Sequence, residues 1–216
     1  MSQTKPKNLN QALIQLAATV AGSVGYIEEQ IIGITEGIIE NNPQQIATAG
    51  HYTKNVRKLT AETIQKTLEA FVIYKPKGND AKLILISWRI ATALERISIL
   101  LNDVAIQSDQ LQLNDVSGAK TVFLNIHDAL MSQTYNIVIA YTADRSDLIA
   151  DIIEKELHIR NVYKSFFREM IIALIEDPKM ISKIEKCLEI AKIFEMIAYY
   201  MHEISEHLTY KFNLNT

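Results

Sequence analysis

Cysteine is nearly absent from this 216-residue chain: Cys187 stands alone. An intrachain disulfide and a cysteine-cluster metal site are therefore excluded, and a reducing compartment is implied. Glycine and proline are also scarce, seven and four residues respectively, which argues against many short strands joined by tight turns and for few, long helices. Those scattered glycines build no phosphate-cradling loop, and neither a nucleophile elbow nor a Ser/His/Asp grouping is visible, so the chain reads as non-enzymatic. The net charge of -3 supplies no basic stripe for counterion release, which removes nucleic acid as an expected partner. No uninterrupted apolar run reaches the ~18 residues that a membrane span requires. The stretch from Ala12 to Gly25 superficially resembles a secretion signal, but Gln15 interrupts it and its apolar spacing continues past Tyr26 at helical period. It reads as the first helix of a soluble, cytoplasmic protein.

What the chain has in abundance is apolar residues, 48% of the total, arranged with a repeat. The segment from Arg89 to Ile97, RIATALERI, returns as EIAKIFEMI, pairing Ile90 with Ile190, Ala91 with Ala191, Glu95 with Glu195 and Ile97 with Ile197. Internal similarity at a fixed offset identifies the repeated unit before any other fold argument, and here that unit is half the chain. The first helix is expected from Asn10 to about Asn41, where Asn-Asn-Pro breaks it and Pro43 opens the second. Ile46, Ala49, Thr53, Val56, Thr60, Ile64, Leu68 and Phe71 mark that second helix with spacings of three and four. Pro76 and Gly78 end it, and a third helix follows from Asp80 to Gln107 with Leu83, Ile90, Leu94, Ile97, Leu101 and Val104 on one face. A fourth helix is expected over 119–141 and a turn over 142–146. The fifth carries Ile149, Ile152, Ile153, Ile159, Tyr163, Phe166, Phe167, Met170 and Leu174, and the sixth runs from Pro178 to about Lys211. The predicted fold is all-α: two tandem three-helix repeats, residues 1–108 and 118–216, joined by a connector at 109–117 into an elongated six-helix bundle.

Pro76 and Asp80 ahead of the third helix, and Ile90, Ala91, Leu94, Glu95, Arg96, Ile97 and Ser98 within it, resemble the signature of the PhoU family, which regulates phosphate uptake. The second half matches through Glu176, Asp177, Pro178, Ile190, Ala191, Glu195, Ile197 and the terminal Ile204, Ser205 and Glu206. The resemblance covers essentially the whole chain and implies a duplicated three-helix fold. In that family, carboxylates on the third helix of each repeat face paired acids on the middle helix and hold multinuclear metal clusters. Here Glu95 and Glu195 remain, but Ile99 and Tyr199 stand where their aspartate companions would be. The middle helices present Thr53 and Arg57 in the first repeat, and Glu156 and Arg160 in the second, in place of paired acids. An arginine cannot ligate a cation and stays charged at physiological pH. The expectation is therefore no metal and no cofactor, with structural salt bridges from Arg57 to Glu95 and from Arg160 to Glu195, and Glu156 able to reach Arg160 across one turn. The resemblance further implies a negative regulator of phosphate-starvation genes, partnered by a phosphate transporter's ATPase or a sensor histidine kinase, and a homodimer.

Two other readings stand beside this one. The lost acids are compatible with a helical scaffold or adaptor unrelated to phosphate, and a reduced metal site remains open if Glu156, Glu195 and Tyr199 assemble. His202 and His207 lie five residues apart, about 140° around a helix, so they do not form the two-histidine face of a zinc protease. His202 with Glu206 reads as a helical pair. No Glu-x-x-His occurs, which removes the ligand pattern of di-iron bundles. The aromatic set Tyr163, Phe166, Phe167, Tyr199 and Tyr200 reads as core. His51, His127 and His158 read as isolated helical residues. Trp88, off the main stripe of its helix, packs either against neighbouring helices or in a contact surface.

Overall fold

A computed structural model describes residues 6–108, 111 and 113–212. Its helices are α1 (Leu9–Glu40), α2 (Pro43–Gly50), α3 (Thr53–Tyr74), α4 (Gly78–Gln107), α5 (Ala119–Ala143), α6 (Ile149–Glu176) and α7 (Ile181–Phe212), with no strand among the described residues. Positions 109, 110 and 112 of the expected connector lie outside the described residues. The boundaries follow from local chemistry. Asn8 caps α1 by accepting from the Gln11 N–H at 3.0 Å, which satisfies one donor that the first turn leaves orphaned. At the other end Asn41 takes the left-handed conformation, φ 57°, and the Asn42 N–H bonds back to the Gly37 carbonyl at 2.7 Å, closing the helix as a Schellman turn does. Asn42 then caps α2 through the Gln45 N–H, with Pro43 in its first turn.

The expected second helix is broken. α2 ends at Gly50, and the chain turns through His51 and Tyr52 before α3 begins. The cause lies in α1: a Cβ on Gly33 would fall 2.6 Å from Ala49 Cβ, and one on Gly37 the same distance from Ile46 Cγ1. Two missing side chains thus let α2 pack directly against α1.

The helices form two three-helix groups, α1, α3, α4 and α5, α6, α7, joined where α1 packs on α5 and α4 packs on α7. One uninterrupted core, from Val20 in α1 to Leu208 in α7, runs through both groups. Phe123 of α5 meets Phe194 of α7 edge to face, centroids 5.9 Å apart, an arrangement that adds to area burial. Polar groups also cross the junction. The Tyr141 hydroxyl sits 2.7 Å from Ser87 Oγ, and Thr35 Oγ1 2.6 Å from His127 Nδ1. Burial pushes the Tyr141 phenol up to about 12. At the C-terminal end, Lys211 reaches Asp144 at 2.6 Å and lies over the Tyr141 ring.

Three expected core faces are corrected. The stripe through Ile46, Ala49, Thr53, Val56 and Thr60 is buried, but beyond it the buried face is Thr63, Thr67 and Ala70, while Leu68 is 55% exposed and Ile64 and Phe71 are half-buried. Threonine can line this face because most of its hydroxyls are used, Thr67 Oγ1 being the exception: Thr60 bonds to the Ala91 carbonyl at 3.2 Å, and Thr63 to the Leu59 carbonyl at 2.8 Å and Thr19 Oγ1 at 3.1 Å. A hydroxyl so bonded removes most of the cost of burying it. On α6, Ile153 and Phe167 face outward, as does Tyr199 on α7, so the aromatic set is only partly core. Cys187 is fully buried, and desolvation pushes its thiol up to about 11.

These packing details lead to three expected outcomes. Gly33→Ala improves helix propensity by up to ~1 kcal/mol, yet overpacking against Ala49 outweighs it, and a net loss of about 1–2 kcal/mol is expected in urea unfolding. Gly25→Ala, with open space around its Cβ, should instead stabilise by about 0.5–1 kcal/mol. Because thiolate is the reactive form, a thiol reagent at pH 8 should leave Cys187 unlabelled in the native protein and label it fully in denaturant.

Candidate functional site: two self-paired helix faces

In the first repeat, the position expected to carry an acid holds Thr53, and the structure ties it into a neutral network. Gln30 of α1 donates from Nε2 to Thr53 Oγ1 at 3.0 Å, Ser98 Oγ of α4 donates to Gln30 Oε1 at 2.6 Å, and Thr53 Oγ1 donates to the Ser98 carbonyl at 3.1 Å. Gln30 and Ser98 are fully buried. One turn along α3, Arg57 Nε lies 3.7 Å from Glu95 Oε1, with side chains 58% and 30% exposed. This is a surface pair, and such pairs contribute about 0–1 kcal/mol, well below the cost attached to a desolvated one. Ile99 is half-buried beside them and offers no ligand atom.

The second repeat is built differently. Glu156 of α6 is buried, its side chain only 5% exposed, and pairs with Arg160 one turn later on the same helix. Its other oxygen lies 3.8 Å from Nδ1 of His202 on α7, and His202 Nε2 lies 3.8 Å from Glu206. The expected Arg160–Glu195 pair is not formed: Arg160 takes the local carboxylate of Glu156, and Glu195 pairs with Lys192 one turn back on α7. Residues four apart on one helix already face each other, so the local partner wins over one that must be reached across a helix interface. Tyr199 is exposed and stacks edge-on with Tyr200. Glu156, Glu195 and Tyr199 therefore each have other surroundings, and among the described residues no group of three or more His, Cys, Asp or Glu side chains could hold a metal ion.

Sequence reasoning missed Gln30 and Gln133. Both are fully buried, one on the first helix of each repeat, and Gln133 Nε2 donates to the Ile152 carbonyl at 2.9 Å. They stand at the same offset as Thr53 and Glu156, or Arg57 and Arg160. A buried glutamine reads as surface by composition; only its recurrence at the repeat offset gave a signal. Asp151, held by Asn136 at 2.5 Å and Ser132 at 3.3 Å, was likewise missed.

No protein-family model matches the chain. Over 201 residues it is 23% identical to the phosphate-specific transport system accessory protein PhoU homolog of Zymomonas mobilis, covering 93% of this chain and 84% of that one. Over 205 residues it is 20% identical to the corresponding PhoU homolog of Pseudomonas putida, covering 94% and 80%. The chain is similar to PhoU proteins along nearly its whole length. The PhoU fold is equally evident in three dimensions: PhoU from Pseudomonas aeruginosa superposes with a TM-score of 0.89 at 18% identity, covering 95% of this chain and 99% of that one. PhoU from Streptococcus pneumoniae gives 0.83 at 17% identity, covering 94% and 96%.

The two faces of this PhoU-like chain differ in what their ion pairs support. Removing Arg160 leaves a buried carboxylate facing only His202, whereas removing Arg57 leaves Glu95 free to meet water. Arg160→Met should cost about 1–3 kcal/mol in denaturant unfolding, and Arg57→Met less than about 1 kcal/mol. Equal costs would show that the two repeats are built alike.

Proposed function

We propose that this PhoU-family chain is a non-enzymatic accessory regulator of phosphate transport, acting in the cytoplasm through contacts with other proteins. The observation that carries the reading is the likeness along more than nine-tenths of the chain to two accessory proteins of phosphate-specific transport. The arrangement of side chains agrees with it. The positions that offer carboxylates to metals in the family are here closed by the chain's own arginines, lysine and neutral hydrogen bonds. Regulation in this protein then rests on surfaces rather than on a metal or a bound substrate. The partners that fit are a phosphate transporter's ATPase or a sensor histidine kinase, with the outcome being repression of phosphate-starvation genes, and the working form is a homodimer.

Loss of the family's acids also supports a helical adaptor without a role in phosphate control. The two readings separate in a deletion strain. The regulatory reading expects a phosphate-starvation reporter to be active in phosphate-rich medium after deletion, and silent again when the chain is restored. Unchanged reporter activity favours the adaptor. Elemental analysis of purified protein is expected to find no stoichiometric iron, zinc or manganese; one or more equivalents per chain would overturn the metal-free part of the proposal.

A further inference from the structure

Where α4 and α7 diverge beyond the junction between the repeats, their side chains enclose an open groove of about 960 Å³. Its α4 wall carries Lys82, Arg89 and Arg96, spaced by seven residues and therefore on one helix face, about 21 Å from end to end at 1.5 Å per residue. Between these cations lie Leu85, 45% exposed, and Trp88, half-buried. The α7 wall supplies Glu203, His207 and Tyr210. Glu203 lies 3.9 Å from His207, but among the described residues no carboxylate reaches Lys82, Arg89 or Arg96 within ion-pair distance. Arg96 meets only the face of Tyr200, 5.8 Å from its centroid. Burial, followed by the field of Arg89, lowers the His207 imidazole below its ordinary value, so the groove's charge near neutral pH comes from three cations against one carboxylate.

This groove stands apart from the Arg57, Glu156 and Arg160 faces and draws on none of their residues. Elsewhere on the molecule Arg145 pairs with Asp147, Lys183 with Asp115 and Lys211 with Asp144. Three cations left in register along an apolar-floored groove are complementary to a ligand with anionic groups at the same interval. A single phosphate or nucleotide spans too little of the ~21 Å, and a concave trough between two helices does not match a flat bilayer surface. A helix does match: carboxylates recur on one face every seven residues, and apolar residues three or four positions from each would reach Leu85 and Trp88.

We propose that the α4/α7 groove is a docking site for an acidic amphipathic helix of a partner protein, bearing Asp or Glu at seven-residue intervals beside apolar residues. This rests on the reading of the chain as a protein-binding regulator, and specifies the chemistry of one partner segment. Trp88, the only tryptophan, lies in the groove and reports on its occupancy. The probe is a synthetic tryptophan-free helical peptide of about five turns carrying Glu at positions i, i+7 and i+14 with Leu at the intervening apolar positions, titrated into the full chain.

A saturable change in Trp88 emission is expected, weakening as salt shortens the Debye length from ~10 Å at 0.1 M to ~3 Å at 1 M. The double variant Arg89→Glu/Arg96→Glu, both positions exposed, should bind the peptide about tenfold or more weakly. It should gain binding to the same peptide with Lys at the three acidic positions. Should the double variant unfold by circular dichroism, Arg89→Gln/Arg96→Gln serves in its place, with the same loss and no gain. The proposal is overturned if the acidic and basic peptides act alike on the unaltered chain, or if Trp88 responds to anionic lipid vesicles and not to the peptide. It is equally overturned if the double variant abolishes self-association of the purified chain, which makes a second copy the occupant. In cells, a double variant that still silences the phosphate-starvation reporter sinks the docking site while leaving phosphate regulation intact. A deletion that never activates the reporter sinks the regulatory reading without touching peptide binding.

Discussion

The constraint on which this molecule depends is that two three-helix groups must close over a single interior. The core that runs through both groups includes Ile97, Leu101 and Val104 of α4, Ile197 and Met201 of α7, and Phe123, Ile126 and Leu130 of α5, all essentially inaccessible. Burying a side chain of this kind is worth about 1.5–3 kcal/mol. Separating the groups would return part of that core to water. The duplication follows from this, because a three-helix unit with one apolar face left open is completed most simply by a second copy of itself. Once the junction is apolar, the polar groups that cross it must be paired, and Tyr141 with Ser87 and Thr35 with His127 are paired at 2.7 and 2.6 Å.

The same requirement explains what became of the acidic positions. A carboxylate in a dry helical interface persists only beside a cation or a set of donors. In the first repeat, the middle helix carries Thr53, which Gln30 and Ser98 hold in a neutral network. In the second repeat, the middle helix carries Glu156, buried to 5% exposure, and its countercharge comes from Arg160. One repeat therefore meets the constraint with neutral groups and the other with an internal ion pair.

Much of this was legible in the sequence because it is local. Helix ends written by Asn42-Pro43, Pro76 and Asp177-Pro178 fall within a few residues of where the chain turns, and from Ile90 to Val104 the aliphatic stripe of α4 is the buried face as read, while Leu83 is half-buried and Ile84 takes its place. The misreadings have different causes. The break after Gly50 is dictated by Gly33 and Gly37, which are unremarkable until α2 is laid on α1. The stripe of α3 drifted because apolarity was counted and bonded threonine hydroxyls were not. The pairing of Arg160 went astray because the repeat offset pointed to Glu195, whereas helix geometry had already placed Glu156 one turn away. The family resemblance was readable in order and offset even where the individual motif residues had changed.

The contrast between interior and surface then separates structure from function. Inside, nearly every polar atom is answered, with Thr67 Oγ1, Gln133 Oε1 and His207 Nδ1 the exceptions among the described residues. Two of these three sit within the helical packing, where a small geometric adjustment or a water molecule serves them. The third, His207, lines the α4/α7 groove, whose cations also lack carboxylate partners. Folding alone gives no reason to keep Lys82, Arg89 and Arg96 in register without countercharges, since exposed charges of one sign on one helix face repel weakly and stabilise nothing. A surface that accepts that repulsion is better explained by what it meets than by what it holds together.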